Sequence, residues 1–362
     1  MSFSRPMRRN SRASSVRSGT AMDTSSSAIA ARSPIMRDVV ERAGRGLPVL
    51  GVVAFAAVLA APLCTALAGR ALSLWRTAAA VAIAQGLFHV LYGLATGGHA
   101  VAPVAGVDPR RSMPTFARET FRTWARDEGM IASAAQMAGA DHPVAIFVDS
   151  FTDHFSPQVG RATVAVLREA GFTPFVPAEA LCCGLTFIST GQLDAAKKTL
   201  TEAAHVLAPV VAAGIPVVGM EPSCTAALRH DLPALVDSGA ARQVAGGVRT
   251  VAEVLTSAID EGRWVAPDLT GTEIVAQPHC HHHAVMSWSA DEALLARTGA
   301  TVTRLGGCCG LAGNFGVELG HYEVSVEVAR QQLLPAIEAA GRETVVLADG
   351  FSCQTQIADL SE

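Results

Sequence analysis

Cys182-Cys183-Gly184-Leu185 and Cys308-Cys309-Gly310-Leu311 stand in one chain of 362 residues. Each is followed by a long apolar-periodic stretch and then by Ser-Cys, at Ser223-Cys224 and Ser352-Cys353. The last cysteine comes 41 positions after the pair in one copy and 44 in the other. Matching residue types at matching intervals mark an internal repeat. The first copy runs from about Val144 to Leu228 and the second from about Thr272 to Ile357.

Around these pairs the pattern alternates between strand and helix. Short β-branched runs lie at Val144–Val148, Phe172–Val176, Ile215–Val218, Glu273–Ala276, Thr301–Leu305 and Thr344–Leu347. Helical periodicity fills Pro157–Ala170, Gly191–Ala213, Ala240–Glu261, Ala290–Thr298 and Tyr322–Ala340. Ser156-Pro157 is a helix start, and Gly171, Gly214 and Gly341 are stops. Strands alternating with helices of this length predict an α/β fold with two tandem parallel-sheet repeats. Cys224, Cys280, Cys308 and Cys353 each follow a predicted strand within a few residues. In a parallel sheet those points share the carboxyl edge, so distant cysteines converge.

Seven of the eight cysteines lie after residue 180 in a long chain, which favours a reducing compartment and metal ligation over a disulfide framework. Zinc sites commonly use Cys-x2–4-Cys pairs, and no Cys-x-x-Cys occurs. Vicinal cysteines suit a polynuclear cluster, whose irons each take a thiolate, and the glycine after each pair lets backbone approach a bulky cofactor. The second copy offers Cys280, Cys308, Cys309 and Cys353, the number a 4Fe–4S cluster needs. The first offers only Cys182, Cys183 and Cys224, so its site is the weaker one. Phe151 stands near the place of its leading cysteine, with Asp149 nearby as an oxygen ligand. In His279-Cys280-His281-His282-His283, adjacent residues are not expected to aim at one ion, so Cys280 ligates and the histidines donate hydrogen bonds or carry protons. Glu221 and Asp349 read as loop hydrogen-bonders.

Half the residues are hydrophobic and only 17% are charged, which means a large core or a membrane segment. Residues 1–46 hold nine Arg against three acids and form a disordered basic tail. Val49–Gly69 and Thr77–Gly97 are 21-residue runs without charge, separated by Arg70 and Arg76. Each is long enough to span a bilayer, so a transmembrane helical hairpin is expected over 47–98. Two buried core helices, or a cleaved leader ending at Ala66-Leu67-Ala68, are the competing readings. The Arg-rich tail places both ends on the cytoplasmic side of the inner membrane, with the cysteine-rich part in the cytoplasm. His89 falls inside the second run and reads as a packed or interfacial side chain. Residues 99–140 are a linker, 141–265 the first repeat and 266–362 the second. No basic, aromatic-interleaved surface and no phosphate-binding glycine loop appears, so neither nucleic acid nor a nucleotide cofactor is expected.

The ordered set of motifs resembles the cysteine-rich CCG domain family. It comprises Phe147-Val148-Asp149-Ser150-Phe151-Thr152, Glu221-Pro222-Ser223-Cys224, Gly307 through Gly316, His321-Tyr322-Glu323-Val324-Ser325 and Ala348 through Cys353. The connector Asp108-Pro109-Arg110-Arg111 through Phe121-Arg122-Thr123-Trp124 is similar to the linker that precedes such domains. The nearest resemblance is to the C-terminal part of FAD-linked oxidases of the D-lactate dehydrogenase type. Iron–sulfur subunits of glycolate and lactate oxidation and of heterodisulfide reductase are similar too. Full repeats of that family end in Cys-x-x-Cys, whereas here Glu221 and Gly350 replace the earlier cysteine. The flavin and ferredoxin-like domains of the larger relatives do not precede the repeats, so FAD is expected on a partner.

The resemblance implies an iron–sulfur electron-transfer module of a flavin-dependent 2-hydroxy acid oxidoreductase system, passing electrons toward the membrane. Its partners would be an FAD-linked oxidase subunit or domain and a ferredoxin-like iron–sulfur protein. Thiol–disulfide chemistry at the cluster and a zinc-stabilised membrane-tethered scaffold are the alternatives.

Overall fold

A computed structural model describes residues 106–361. Residues 114–316 and 321–361 belong to one compact unit. The described part of a second unit, 106–113 and 317–320, is held by an antiparallel bridge between Val107 and Glu318.

The large unit begins with α1 (Phe121–Asp127) and α2 (Ala134–Met137), capped by Thr120 and Ser133. The first repeat follows: β1 (Pro143–Phe147), α3 (Ser150–His154), α4 (Pro157–Glu169), β2 (Thr173–Phe175), α5 (Leu185–Ser189), α6 (Leu193–Ala212), β3 (Val217–Gly219) and α7 (Pro222–Ala226). A π-turn leads into α8 (Leu232–Leu235), α9 (Gly239–Gly247), β4 (Val248–Thr250) and α10 (Val251–Asp260). The second repeat has β5 (Glu273–Gln277), α11 (Ser289–Arg297), β6 (Thr301–Arg304), α12 (Tyr322–Gln331), α13 (Leu333–Ala339), β7 (Val345–Ala348) and α14 (Phe351–Leu360).

Both sheets are parallel. The first has the order β2-β1-β3-β4 and the second β6-β5-β7. The central strand of each pairs with the next two strands in matching register: Phe147 lies opposite Gly219, and Gln277 opposite Ala348. Alternation along β1 feeds two cores. Ala145 and Phe147 pack with Leu200, Leu207 and Val244 on one face, while Val144 and Ile146 pack with Leu167, Val254 and Leu255 on the other. The second sheet has a smaller core around Ile274, Ala276, Trp288, Leu295 and Leu347.

Three expectations need correction. The fold class carried a transmembrane hairpin ahead of the sheets. Among the described residues no helix is long and apolar enough to cross a membrane. The longest, α6, carries Asp194, Lys197, Lys198 and Glu202. The runs at 49–69 and 77–97, with His89, lie outside the described residues. The architecture described is therefore α/β with two parallel sheets.

The helix expected over Ala240–Glu261 is two helices with β4 between them. Gly246-Gly247 weakens the first, and Thr250 starts the second through a capping box: its Oγ accepts from Glu253 N, and the Glu253 carboxylate accepts from Thr250 N. The helix over Tyr322–Ala340 breaks at Gln332. Pro335 has no N–H for the carbonyl of Gln331 and its ring crowds it. The freed Gln332 side chain accepts instead from Gly306 N at 3.0 Å, just ahead of Cys308.

Candidate metal centre

Parallel strands set the site. β5 and β7 end side by side, and Cys280 and Cys353 follow those ends by three and five residues. Cys353 sits in the first turn of α14, and Cys308-Cys309 lies on the loop after β6. The four thiols form a continuous chain of contacts: Cys280 with Cys308, Cys308 with Cys309, and Cys309 with Cys353. Cys309 and Cys353 are buried and the other two half-buried. Hydrogen bonds from Cys280 and Cys309 lower the Cys308 pKa, while the same bonds raise those of Cys280 and Cys309. Cys308 is thus the most readily ionised of the three linked thiols, in a donor set suited to a soft metal.

The glycine of this pair is constrained. Gly310 has φ +92°, and a Cβ there would lie 2.1 Å from the Ser325 carbonyl oxygen. Its N–H donates to Cys308 Sγ at 3.3 Å. Buried Gln356 of α14 donates to the same Ser325 carbonyl at 3.2 Å, so α12, α14 and the Cys308 loop meet at one point.

The first repeat reproduces part of this frame. Gly184 N donates to Cys182 Sγ at 3.4 Å, and Cys183 Sγ lies 3.0 Å from Cys224 Sγ. Cys183 and Cys224 are buried and Cys182 exposed. The bond to Cys183 and burial raise the Cys182 pKa. For Cys224 the bond from Cys183 acts downward, but burial and the Asp149 and Glu221 carboxylates raise it overall. No fourth thiol joins these three among the described residues. Strand register places Ser150, rather than Phe151, where Cys280 stands: each lies three residues beyond the end of its central strand. Phe151 stacks on Phe351 instead, with centroids 4.6 Å apart. The two oxygens of Asp149 accept from Thr152 N and Thr152 Oγ at 2.8 and 2.7 Å. Equal offsets from the strand ends were the signal that could have found Ser150.

The carboxylates flanking the Ser-Cys pairs do hold loops. Asp349 accepts from His279 N at 2.7 Å and contacts His282 Nδ1 at 2.6 Å, fastening the Cys280 loop to the end of β7. Burial disfavours a second proton on His282, but Asp291 and Asp349 outweigh it and push the pKa up to about 9. Burial lowers His279 to about 4, and its ring stacks on His281. The ligand atoms of His279, Cys280 and His281 lie within 4.8 Å of one another. Glu221 accepts from Ser223 Oγ at 2.8 Å and from Phe351 N at 2.9 Å, so it ties the first repeat to the start of α14. Burial first, then the Asp149 charge, push its pKa up to about 8.

A family model described as a cysteine-rich domain, CCG, matches residues 144–229 and 288–358. Both repeats are CCG cysteine-rich domains. The chain is also 30% identical over 257 residues to one subunit of the anaerobic glycerol-3-phosphate dehydrogenase of Escherichia coli K12, covering 69% of this chain and 62% of that protein. It therefore spans about three-fifths of that relative's length. It is 26% identical over 224 residues to the D-2-hydroxyglutarate dehydrogenase of the same organism, covering 59% of this chain and 21% of that protein. It is 25% identical over 225 residues to the lactate utilization protein A of Bacillus velezensis, covering 57% of this chain and 87% of that protein. The CCG repeats thus have relatives among dehydrogenases and their subunits.

Proposed function

We propose that this chain is the iron–sulfur electron-transfer component of a flavin-linked dehydrogenase system. The observation that carries this reading is the gathering of Cys280, Cys308, Cys309 and Cys353 at the carboxyl edge of the second sheet. The donor set fits the group: four thiols at one sheet edge, beside a glycine that no side chain could replace without moving backbone. Those four residues would hold one 4Fe–4S cluster, which supplies one-electron transfer when bound. The protein's own part is to fix the ligands and exclude water. Asp349 fastens the Cys280 loop, and Glu221 fastens the start of the helix bearing Cys353. Cys182, Cys183 and Cys224 form a second, less complete donor set.

The relatives are named for glycerol 3-phosphate, D-2-hydroxyglutarate and lactate, three small anions with a secondary hydroxyl. Two of these, D-2-hydroxyglutarate and lactate, are 2-hydroxy acids, which supports a partner flavoprotein, carrying FAD, that oxidises a 2-hydroxy acid of the lactate or glycolate class. A ferredoxin-like iron–sulfur protein would pass or receive the electrons.

The test is anaerobic purification of the chain, followed by iron, acid-labile sulfide and zinc determination and a spectrum before and after dithionite. About four irons and four sulfides with bleaching are expected. About eight would mean that the first repeat is filled too. Sulfur-bound zinc without sulfide, persisting after attempted reconstitution with iron, would overturn the electron-transfer reading in favour of a zinc-stabilised scaffold.

A further inference from the structure

Cys183 Sγ and Cys224 Sγ lie 3.0 Å apart, only about 1 Å more than a disulfide bond. Two thiolates on one zinc, each about 2.3 Å from the ion, stand about 3.8 Å apart, and thiolates on different irons of a cluster stand further apart still. The contact is therefore closer than metal ligation requires and nearer to a covalent bond. Cys183 is 4% and Cys224 6% exposed, and both belong to an apolar core of the first sheet, with Leu200 and Leu228. A disulfide places no charge there, whereas a set of thiolates does. Ser150 stands where a fourth thiol would, so the three cysteines do not complete the shell of a four-iron cluster.

The third cysteine gives this buried pair a route to solvent. Cys182 is exposed and its thiol is hydrogen-bonded with that of Cys183, so three sulfurs run in line from surface to core. Cys182 and Cys183 are a poor pair by themselves. Neighbouring Cα atoms are about 3.8 Å apart, below the range of about 4.4–6.8 Å that disulfides usually span. Cys183 and Cys224 come from different elements, the loop before α5 and the first turn of α7. A bond between them closes a loop of 41 positions, which restricts the unfolded chain and favours the linked form.

We infer that Cys183 and Cys224 are a reversible dithiol–disulfide couple, with Cys182 as the thiol through which a low-molecular-weight disulfide enters. The exchange takes three steps. Cys182 sulfur attacks one sulfur of the small disulfide, whose S–S bond breaks, and the first small thiol leaves with the Cys182 proton. Cys183 sulfur then attacks Cys182 sulfur, and the second small thiol leaves with the Cys183 proton. Cys224 sulfur attacks Cys183, the strained Cys182–Cys183 bond breaks, and Cys182 takes the Cys224 proton. In sum one small disulfide is reduced to two thiols and the protein pair is oxidised to one disulfide. The bond to Cys183 and burial keep the Cys182 thiol protonated, so the exchange is slow and is read at its end point. It uses none of the four cysteines of the second repeat.

The test uses the full chain, purified without oxygen and incubated with oxidised glutathione or with reduced glutathione alone. Free thiols are then alkylated, the chain is digested, and linked peptides are assigned by fragmentation in a mass spectrometer. The expected product is a Cys183–Cys224 link in most chains after oxidised glutathione, reversed by dithiothreitol, with iron and sulfide unchanged. Cys182→Ser should form the link at least tenfold more slowly and reach the same end point. A glutathione adduct that stays on Cys182 without a link, a final link to any other cysteine, or about eight irons per chain would each overturn the couple. An unchanged rate in Cys182→Ser would overturn the entry role. Peptide mapping of the parent chain needs no variant, so it decides even if Cys182→Ser fails to fold. Failure of the cluster reading would show separately, as missing iron and sulfide, and would leave the link in place.

Discussion

The two repeats share a frame but differ in what the frame holds. Each puts a central strand between two parallel neighbours, and each sets a Cys-Cys-Gly loop and a Ser-Cys helix start at the carboxyl edge. In both, the glycine N–H donates to the first cysteine of the pair. Yet the second repeat brings four thiols into contact and the first only three. The first repeat has instead the larger core, a fourth strand and the longest helix. The frame and the ligands are therefore separable: backbone hydrogen bonding keeps the edge geometry even where Ser150, and not a cysteine, holds the position that Cys280 has in the second repeat.

The sharpest way to break this comparison is to remove one buried thiol from each repeat. Cys309→Ser should lose nearly all iron and sulfide, because three thiols do not complete a four-iron shell. Cys183→Ser should keep about four irons per chain if the second repeat holds the cluster. Equal loss from both variants would mean that the sites fill together. Iron and sulfide counts on anaerobically purified chains read the outcome.

The converse experiment adds a ligand. Ser150→Cys puts a thiol at the strand-end offset occupied by Cys280 and is expected to raise iron from about four to about eight per chain after reconstitution. No gain would show that register alone does not make a site. Ser150 is exposed, so the substitution itself should cost less than about 0.5 kcal/mol.

Much of this was legible from residues alone. The strand-and-cysteine spacing around Cys308-Cys309 and Ser352-Cys353 led to two parallel sheets and to the seven cysteines at their edges. Three things escaped it. Thr250 and Glu253 form a capping box inside an apolar-periodic stretch, and periodicity drowned the signal. Phe151 drew attention because it is large, whereas Ser150 has the register. The bond from Phe351 N to Glu221 spans 130 residues, and a contact of that range leaves no trace in local sequence.

The two pair glycines test how tightly each loop is built. Gly310→Ala forces a Cβ to within 2.1 Å of the Ser325 carbonyl at φ +92°. Backbone must move, and a loss of about 3 kcal/mol or more in unfolding free energy is expected. Gly184→Ala meets nothing nearer than 3.6 Å, so only the strain of φ +70° remains, about 1–2 kcal/mol. Urea unfolding of the two variants side by side measures the ratio. Similar losses would show that the first-repeat loop is as crowded as the second.

The smallest and most specific effect concerns Glu221, which stands where the second repeat has Gly350. Burial and the Asp149 charge push its pKa up to about 8, against a usual value of 4.5. Between those values the folded chain holds a proton that the unfolded chain has released. Stability therefore falls as pH rises from about 4.5 to about 8 and levels off above that. Glutamine matches the neutral form. Its carbonyl can accept from Phe351 N, and its amide can donate to Ser223 Oγ. Glu221→Gln should flatten most of the slope and leave the variant more stable than the parent at pH 8, by on the order of 2 kcal/mol. Some slope remains, because burial also raises Asp149. Urea midpoints at pH 5, 6, 7 and 8 would measure it. A parent whose stability is level across that range would mean that Glu221 is ionised in place, its charge held by Phe351 N at the start of α14, and the variant would then be the weaker protein at every pH.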